Sequence, residues 1–262
     1  MILSYDISDV SPYINWAYFY FAWQLKDEAE QRRIRSEAET FLAETEGRYR
    51  AHALFLLVDA HSDGDDIVLA DGTCLPMLRQ QAVGSDCLCL ADFVSHRHSQ
   101  FSKVALFATS VDAAMVTDFS HDPYQQMMAQ LLADRLAEAA AERMHEEVRK
   151  HYWGYAHDEH LSIHEMLQEH FQGIRPAVGY PSLPDASLNF LLDAVLDMSQ
   201  IGISLTESGA MRPHASVSGL MMSHPKARYF AVGKIGEDQL HDYARRRRLP
   251  VDVLRKFLIA NL

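Results

Sequence analysis

The feature that most constrains this chain lies in residues 125–150, where Met128, Leu132, Leu136, Ala140, Met144 and Val148 recur at every fourth position without a Gly or Pro. That period predicts one long amphipathic helix, which must find a surface on which to bury its apolar stripe. A change of period upstream supplies the surface. Residues 53–58, 67–69, 87–94 and 104–108 are short apolar runs separated by Gly, Asp and Ser, and they read as strands joined by turns. The gaps are mostly too short for crossover helices, so the sheet is expected to be antiparallel.

The remaining elements fit around this pair. Residues 13–23 hold seven aromatics, with Trp16, Phe19, Tyr20 and Trp23 at the spacing of one helix face, a stripe expected in the core. Residues 26–50 are charged but keep Ile34, Ala38, Phe41 and Leu42 in register, which predicts an amphipathic helix. A Pro/Gly-rich passage, 173–181, precedes a helix near 188–198, strands at 215–221 and 229–232, and a closing helix or helix pair from Asp238 onward. With no repeat, linker or break in composition, residues 1–262 are expected to form one α+β domain.

Charge narrows the function. Acidic residues outnumber basic ones 36 to 24, a net charge of −12, which argues against nucleic acid or an anionic membrane as partner. The one basic block, Arg245 to Arg248, reads as a solvated helix end. Three cysteines are too few for a disulfide framework, and no apolar run approaches membrane-spanning length, so a soluble cytoplasmic protein is expected.

Several motifs are absent or incomplete. The glycine spacing gives neither a dinucleotide-binding turn nor a phosphate loop, and G-x-S-x-G is missing. His160 and His164 have the spacing of two metal ligands on a helix, the basis for a metal-hydrolase alternative, but Leu161 stands where such enzymes need a glutamate. No metal ligand is therefore assigned. Asp59-Ala60-His61-Ser62-Asp63-Gly64 matches the D-x-H-x-x-G pattern with which cobalamin-binding modules present a histidine to cobalt. The strand-like residues 65–69 that follow favour a hairpin turn at Gly64, leaving a corrinoid-binding or adaptor module using His61 as the alternative function.

Four blocks in fixed order carry a stronger signal: Tyr13-Ile14-Asn15-Trp16; residues 133–139 with Glu142; Trp153-Gly154-Tyr155-Ala156 leading to Gly173-Ile174-Arg175-Pro176-Ala177-Val178-Gly179-Tyr180-Pro181; and residues 205–208 through 215–219 to Tyr229-Phe230-Ala231-Val232-Gly233. Together they resemble the S-adenosylmethionine-binding activation domain at the C-terminus of cobalamin-dependent methionine synthase, over nearly the whole chain. The resemblance implies a curved, helmet-like α+β domain with a twisted antiparallel sheet and flanking helices. It also implies a role in repair: when cobalt in the partner's cobalamin-binding module has oxidised, a flavodoxin-type donor reduces it and S-adenosylmethionine supplies a methyl group. A chain of this length lacks the other synthase modules, so it is expected to act in trans or to be a fragment of a longer chain.

By the same resemblance the ligand-contacting residues are Asn15, Glu138, Arg175, Ala177, Tyr229 and Phe230. Residue chemistry agrees with several of these. Arg175 can hold a carboxylate through two parallel N–H bonds, a geometry lysine cannot copy. Pro176, Gly179 and Pro181 shape the backbone around it so that main-chain groups such as those of Ala177 can meet a ligand. Glu138 shares a helix face with Asp134 and Glu142, which without the resemblance is a solvated acidic face. Asn15 stands where the family commonly has aspartate, and losing that charge predicts weaker binding. Val178, residues 183–187, Arg212, His214 and Leu220-Met221-Met222 also depart from the family pattern. Displacement at a sulfonium releases a neutral thioether, so no catalytic acid, base or nucleophile is expected.

Overall fold

One strand of unusual length organises the sheet. In the computed structural model, which describes residues 1–82, 84, 86–96 and 102–262, β1 (Ile2–Asp6) and β2 (Arg50–Asp63) pair antiparallel. β3 (Asp66–Leu69) returns along the same edge of β2 and carries β4 (Cys74–Pro76) outside it. β1 occupies Arg50 to Leu54 of that edge and β3 occupies Ala60 to Asp63, so β2 is long enough to seat two strands end to end. Its other edge pairs with β5 (Ser102–Val111), in register from Ala51↔Val111 to Ala60↔Ser102. A ribbon of β6 (Ser204–Leu205) and β7 (Met211–Arg212) precedes β8 (Ser216–Met221), which closes the curled antiparallel order β4-β3-β2-β5-β8.

Helices cover both faces. The first group is α1 (Ile7–Val10), α2 (Trp16–Ala22), α3 (Glu28–Thr45), α4 (Ala114–Thr117) and α5 (Pro123–Glu147). Then come α6 (Ile163–Leu167), α7 (Leu188–Leu196), α8 (Glu237–Arg247) and α9 (Val251–Phe257). Alternate residues of β5 feed two cores: Ala105 and Phe107 pack with α5, while Val104, Leu106 and Ala108 pack with α7. Burial on both faces is why this strand reads as an unbroken apolar run rather than an alternating one. A third core joins α8 and α9 to Leu78, Val232 and Ile235.

The predicted helix of 125–150 is α5, capped by the Asp122 carboxylate, which accepts the N–H groups of Tyr124 and Gln125. Every residue of its predicted stripe is buried. Alanines 129, 133, 137 and 140 bring it close to the sheet, where Thr109 Oγ1 of β5 donates to the Ala137 carbonyl at 2.9 Å. The helix ends in a wider π-type turn, Val148–Tyr152.

Three expectations need correction, and a fourth is met with its stripe only partly buried. Residues 87–94 form not a strand but a 3-10 turn, Leu90–Phe93, because Asp92 accepts the Cys89 N–H while Arg79 grips the same carboxylate through two nitrogens. Residues 229–232 pair with no strand among the described residues and are tied instead to Pro181, Ser182 and Gln80. The aromatic face expected on α2 does meet the core, with Phe19 fully buried and Trp16, Tyr20 and Trp23 packed partly buried against the same cluster, while Tyr18 and Phe21, off that face, stand exposed. The block Arg245 to Arg248 is not uniformly solvated: Arg246 pairs with Asp66 and Asp242, and Arg247 is 3% exposed beside Asp185.

Candidate functional site

The polar face of α5 does not face bulk solvent. Arg135, Glu138 and Glu142 form one wall of a cleft of about 510 Å³, and the Pro/Gly-rich passage forms the other. That passage is laid along the outer edge of β8 like an irregular extra strand. Ile174 and Met222 exchange two main-chain bonds of 2.9 Å, Leu220 N–H donates to Pro176 at 3.0 Å, and Val178 N–H donates to Ser218 at 2.9 Å. Gly219 makes the approach possible, since a Cβ there would lie 2.2 Å from the Pro176 carbonyl oxygen and 2.9 Å from the Ala177 Cα. Ala177, between the two residues that bond to β8, turns its own N–H away from that strand. Beyond it the chain reverses at Gly179, whose φ of +88° favours glycine.

All six residues expected at the site line this cleft: Asn15, Glu138, Arg175, Ala177, Tyr229 and Phe230. Arg175 is the most constrained. Its side chain is 8% exposed, its main-chain N–H donates to the Tyr229 hydroxyl at 2.9 Å, and Nη2 donates to Glu142 Oε1 at 2.5 Å. Nη1 is buried and has no hydrogen-bond partner among the described residues. A buried guanidinium nitrogen left unsatisfied costs about 1–3 kcal/mol, so an acceptor placed there is strongly favoured. Burial pushes the Tyr229 phenol up to about 12, against the opposing charge of Arg175, so it stays protonated as a hydroxyl.

Glu138 is already engaged: its Oε1 accepts the Tyr180 hydroxyl at 2.5 Å, a bond that crosses from one wall of the cleft to the other. Burial and this carboxylate raise the Tyr180 pKa. Asn15 sits at the N-cap of α2, where its Oδ1 accepts the Ala17 N–H at 3.2 Å. Phe230 is pinned by Ser182, whose hydroxyl donates to its carbonyl at 2.5 Å, and its ring lies 6.4 Å from that of Phe93.

Sequence reasoning missed part of the lining. Tyr180 belongs to the passage already singled out, and its phenol facing a carboxylate helix was a readable signal. Glu169 gave none, because it follows α6 in a left-handed conformation, φ +60°, that no local motif announces. Its carboxyl pKa is raised by burial and by the Glu142 charge. Taken together, the cleft offers a cationic fork, carboxylates and aromatic rings, which is the chemistry needed to hold a zwitterionic amino acid joined to a flat heterocycle.

The competing motifs fall elsewhere. His61 lies within β2 opposite Val68, and Gly64, with φ +61°, makes the turn of the β2–β3 hairpin. His160 precedes the Ser162 N-cap of α6 rather than sharing a helical face with His164. Among the described residues no group of three or more His, Cys, Asp or Glu is arranged to hold a metal, and no helix is long and apolar enough to cross a membrane.

Residues 6–248 match the family model described as the vitamin B12-dependent methionine synthase activation domain. A crystal structure of the MetH reactivation domain bound to AdoHcy is similar at a TM-score of 0.91 and 36% sequence identity, covering 100% of this chain and 90% of that one. A family-model match over nearly the full length and a fold shared across the whole chain lead to one conclusion: the chain belongs to the vitamin B12-dependent methionine synthase activation-domain family.

Proposed function

We propose that the cleft binds S-adenosylmethionine and that the chain, as one activation domain spanning residues 1–262, presents its methyl group for reductive reactivation of oxidised cobalamin on a separate methionine synthase. The observation that carries this reading is the Nη1 of Arg175, which has no partner among the described residues, on a buried guanidinium in a cleft that also presents carboxylates and aromatic rings. The similarity to a reactivation domain that binds AdoHcy supports it.

In this reading Arg175 receives the ligand carboxylate on Nη1 while Glu142 keeps Nη2 in place. Ala177 offers its main-chain N–H, and Tyr229 and Phe230 supply the aromatic side of the cradle. Glu138 reaches the ligand once Tyr180 releases it. Asn15 contributes a neutral polar group whose Oδ1 is already occupied by the helix cap. These residues bind, orient and exclude water, and none needs to move a proton, because the leaving thioether is neutral. Cobalamin, held by the partner's cobalamin-binding module, supplies the reduced metal that accepts the methyl group, and a flavodoxin-type protein supplies the electron.

Isothermal titration tests the binding step. Wild-type protein should give saturable heat with S-adenosylmethionine, and Arg175→Lys should weaken binding by about tenfold or more, because an ammonium cannot satisfy Glu142 and a ligand carboxylate in the fork geometry. Absence of saturable binding by the wild type at millimolar ligand overturns the reading.

A further inference from the structure

We infer that the cleft reads the charge on the ligand's sulfur, retaining the sulfonium and releasing the neutral thioether, with Glu169 as the residue that makes the distinction. This rests on the function proposed above and adds a specificity to it. The charged residues lining the cleft are Arg135 and Arg175 against Glu138, Glu142 and Glu169, two positive and three negative, which leaves one negative charge in excess. S-adenosylmethionine carries an ammonium, a sulfonium and a carboxylate, a net single positive charge, and so neutralises the site. S-adenosylhomocysteine is a zwitterion with no net charge and leaves the excess in place.

Partner status identifies which carboxylate is left over. Glu142 is held by Arg175 and Glu138 by the Tyr180 hydroxyl, whereas the Glu169 carboxylate has neither a hydrogen-bond nor an ion-pair partner among the described residues. Its backbone is fixed in the left-handed region at φ +60°, with its N–H donating to the Met166 carbonyl at 2.9 Å, a conformation side chains other than glycine adopt at some cost. Solvent-exposed at the edge of the cleft lining, its pKa raised by partial desolvation and by the repelling Glu142 charge against the opposing pull of Arg175, it is a carboxylate that a cation in the cleft would relieve.

The consequence concerns turnover. In methyl transfer the C–S bond breaks with its electron pair remaining on sulfur, and the methyl carbon bonds to the electron pair of the reduced acceptor. Sulfur thereby loses its positive charge inside a site that still carries its negative one, so the same residue that favours the substrate disfavours the product.

Titrations of S-adenosylmethionine, S-adenosylhomocysteine and the amine isostere, with a protonated amine in place of the methylsulfonium, are compared on the intact chain. The wild type should bind both cationic ligands about tenfold more tightly than the thioether. Glu169→Gln should erase most of that ratio by weakening the cationic ligands while leaving the thioether within about twofold. Glu169→Asp, which keeps the charge, should preserve the preference and shows that loss in the glutamine variant is not misfolding. If Glu169→Gln weakens all three ligands equally, the residue holds the ammonium they share and the inference fails. Equal wild-type affinities for all three also overturn it, while leaving the proposed function standing. Failure of every ligand to bind overturns both.

Discussion

Replacing Gly219 with alanine isolates the step by which β8 positions the cleft. The added methyl would meet the Pro176 carbonyl oxygen at 2.2 Å, the Ala177 Cα at 2.9 Å and the Phe107 ring at 2.9 Å. Two of these are main-chain atoms and the third belongs to the buried core, so none moves cheaply. Passage 174–178 must lift from β8, straining or breaking the Leu220–Pro176 and Val178–Ser218 bonds of 3.0 and 2.9 Å. Two lost main-chain bonds at about 1 kcal/mol each, with an overpacking term of about 1–3 kcal/mol, give a destabilisation of about 3–5 kcal/mol. For a chain of this size that lowers Tm by about 6 °C or more. Because Arg175 and Ala177 ride on the same passage, ligand affinity should fall with stability. Gly179→Ala is the control: its φ of +88° makes it strained, yet a Cβ there meets nothing within 4 Å, so a cost of only about 1 kcal/mol is expected. Thermal unfolding and ligand titration of both variants decide the matter. A Gly219→Ala protein with wild-type Tm and affinity would refute the claim that β8 sets the position of the cleft wall.

Other substitutions test separate parts of the account. Asn15→Asp keeps the α2 cap and adds a charge at the cleft, so titration should show tighter S-adenosylmethionine binding, while Asn15→Ala should lose about 1 kcal/mol of stability with the cap. His145 is wholly buried with both ring nitrogens lacking a hydrogen-bond partner among the described residues, and burial, reinforced by the charges of Arg149 and Arg175, holds its pKa well below the usual histidine value. The unfolded imidazole takes up a proton below about pH 6.5 and the folded one does not. Stability should therefore fall as pH drops below that value, by up to about 1.4 kcal/mol per unit, and His145→Phe should flatten the slope in urea titrations. The Arg149 side chain is fully buried and bonded through two nitrogens to Glu159 at 3.0 and 2.6 Å. Glu159→Ala should cost about 3–5 kcal/mol in denaturant unfolding, because it leaves that guanidinium uncompensated.

The elements legible in the sequence were those whose stability is local or one-sided. The four-residue period of α5 survives because a single face meets the sheet, and the apolar run of β5 survives because both faces are buried. Residues 87–94 failed because the deciding contact, Arg79 on Asp92, comes from a residue outside the run and overrides the pattern. Tyr229 and Phe230 look like a strand, yet their partners are a serine hydroxyl and an arginine main-chain N–H rather than a neighbouring ladder. The arginine block misled for the same reason, since the carboxylates of Asp66 and Asp185 that bury Arg246 and Arg247 are distant in sequence. At the cleft, periodicity correctly turned Glu138 and Glu142 away from the apolar stripe, but only the return of the passage after Arg175 converts an acidic helix face into a cavity. Glu169 was illegible because its placement depends on a single left-handed residue after a short helix.

A crystal structure of the chain grown with S-adenosylmethionine tests the central claim most directly. The account predicts the ligand carboxylate within hydrogen-bond distance of Arg175 Nη1, with the nucleoside against Tyr229 and Phe230. Ligand density at any other surface, or a cleft left vacant at saturating concentration, would contradict it.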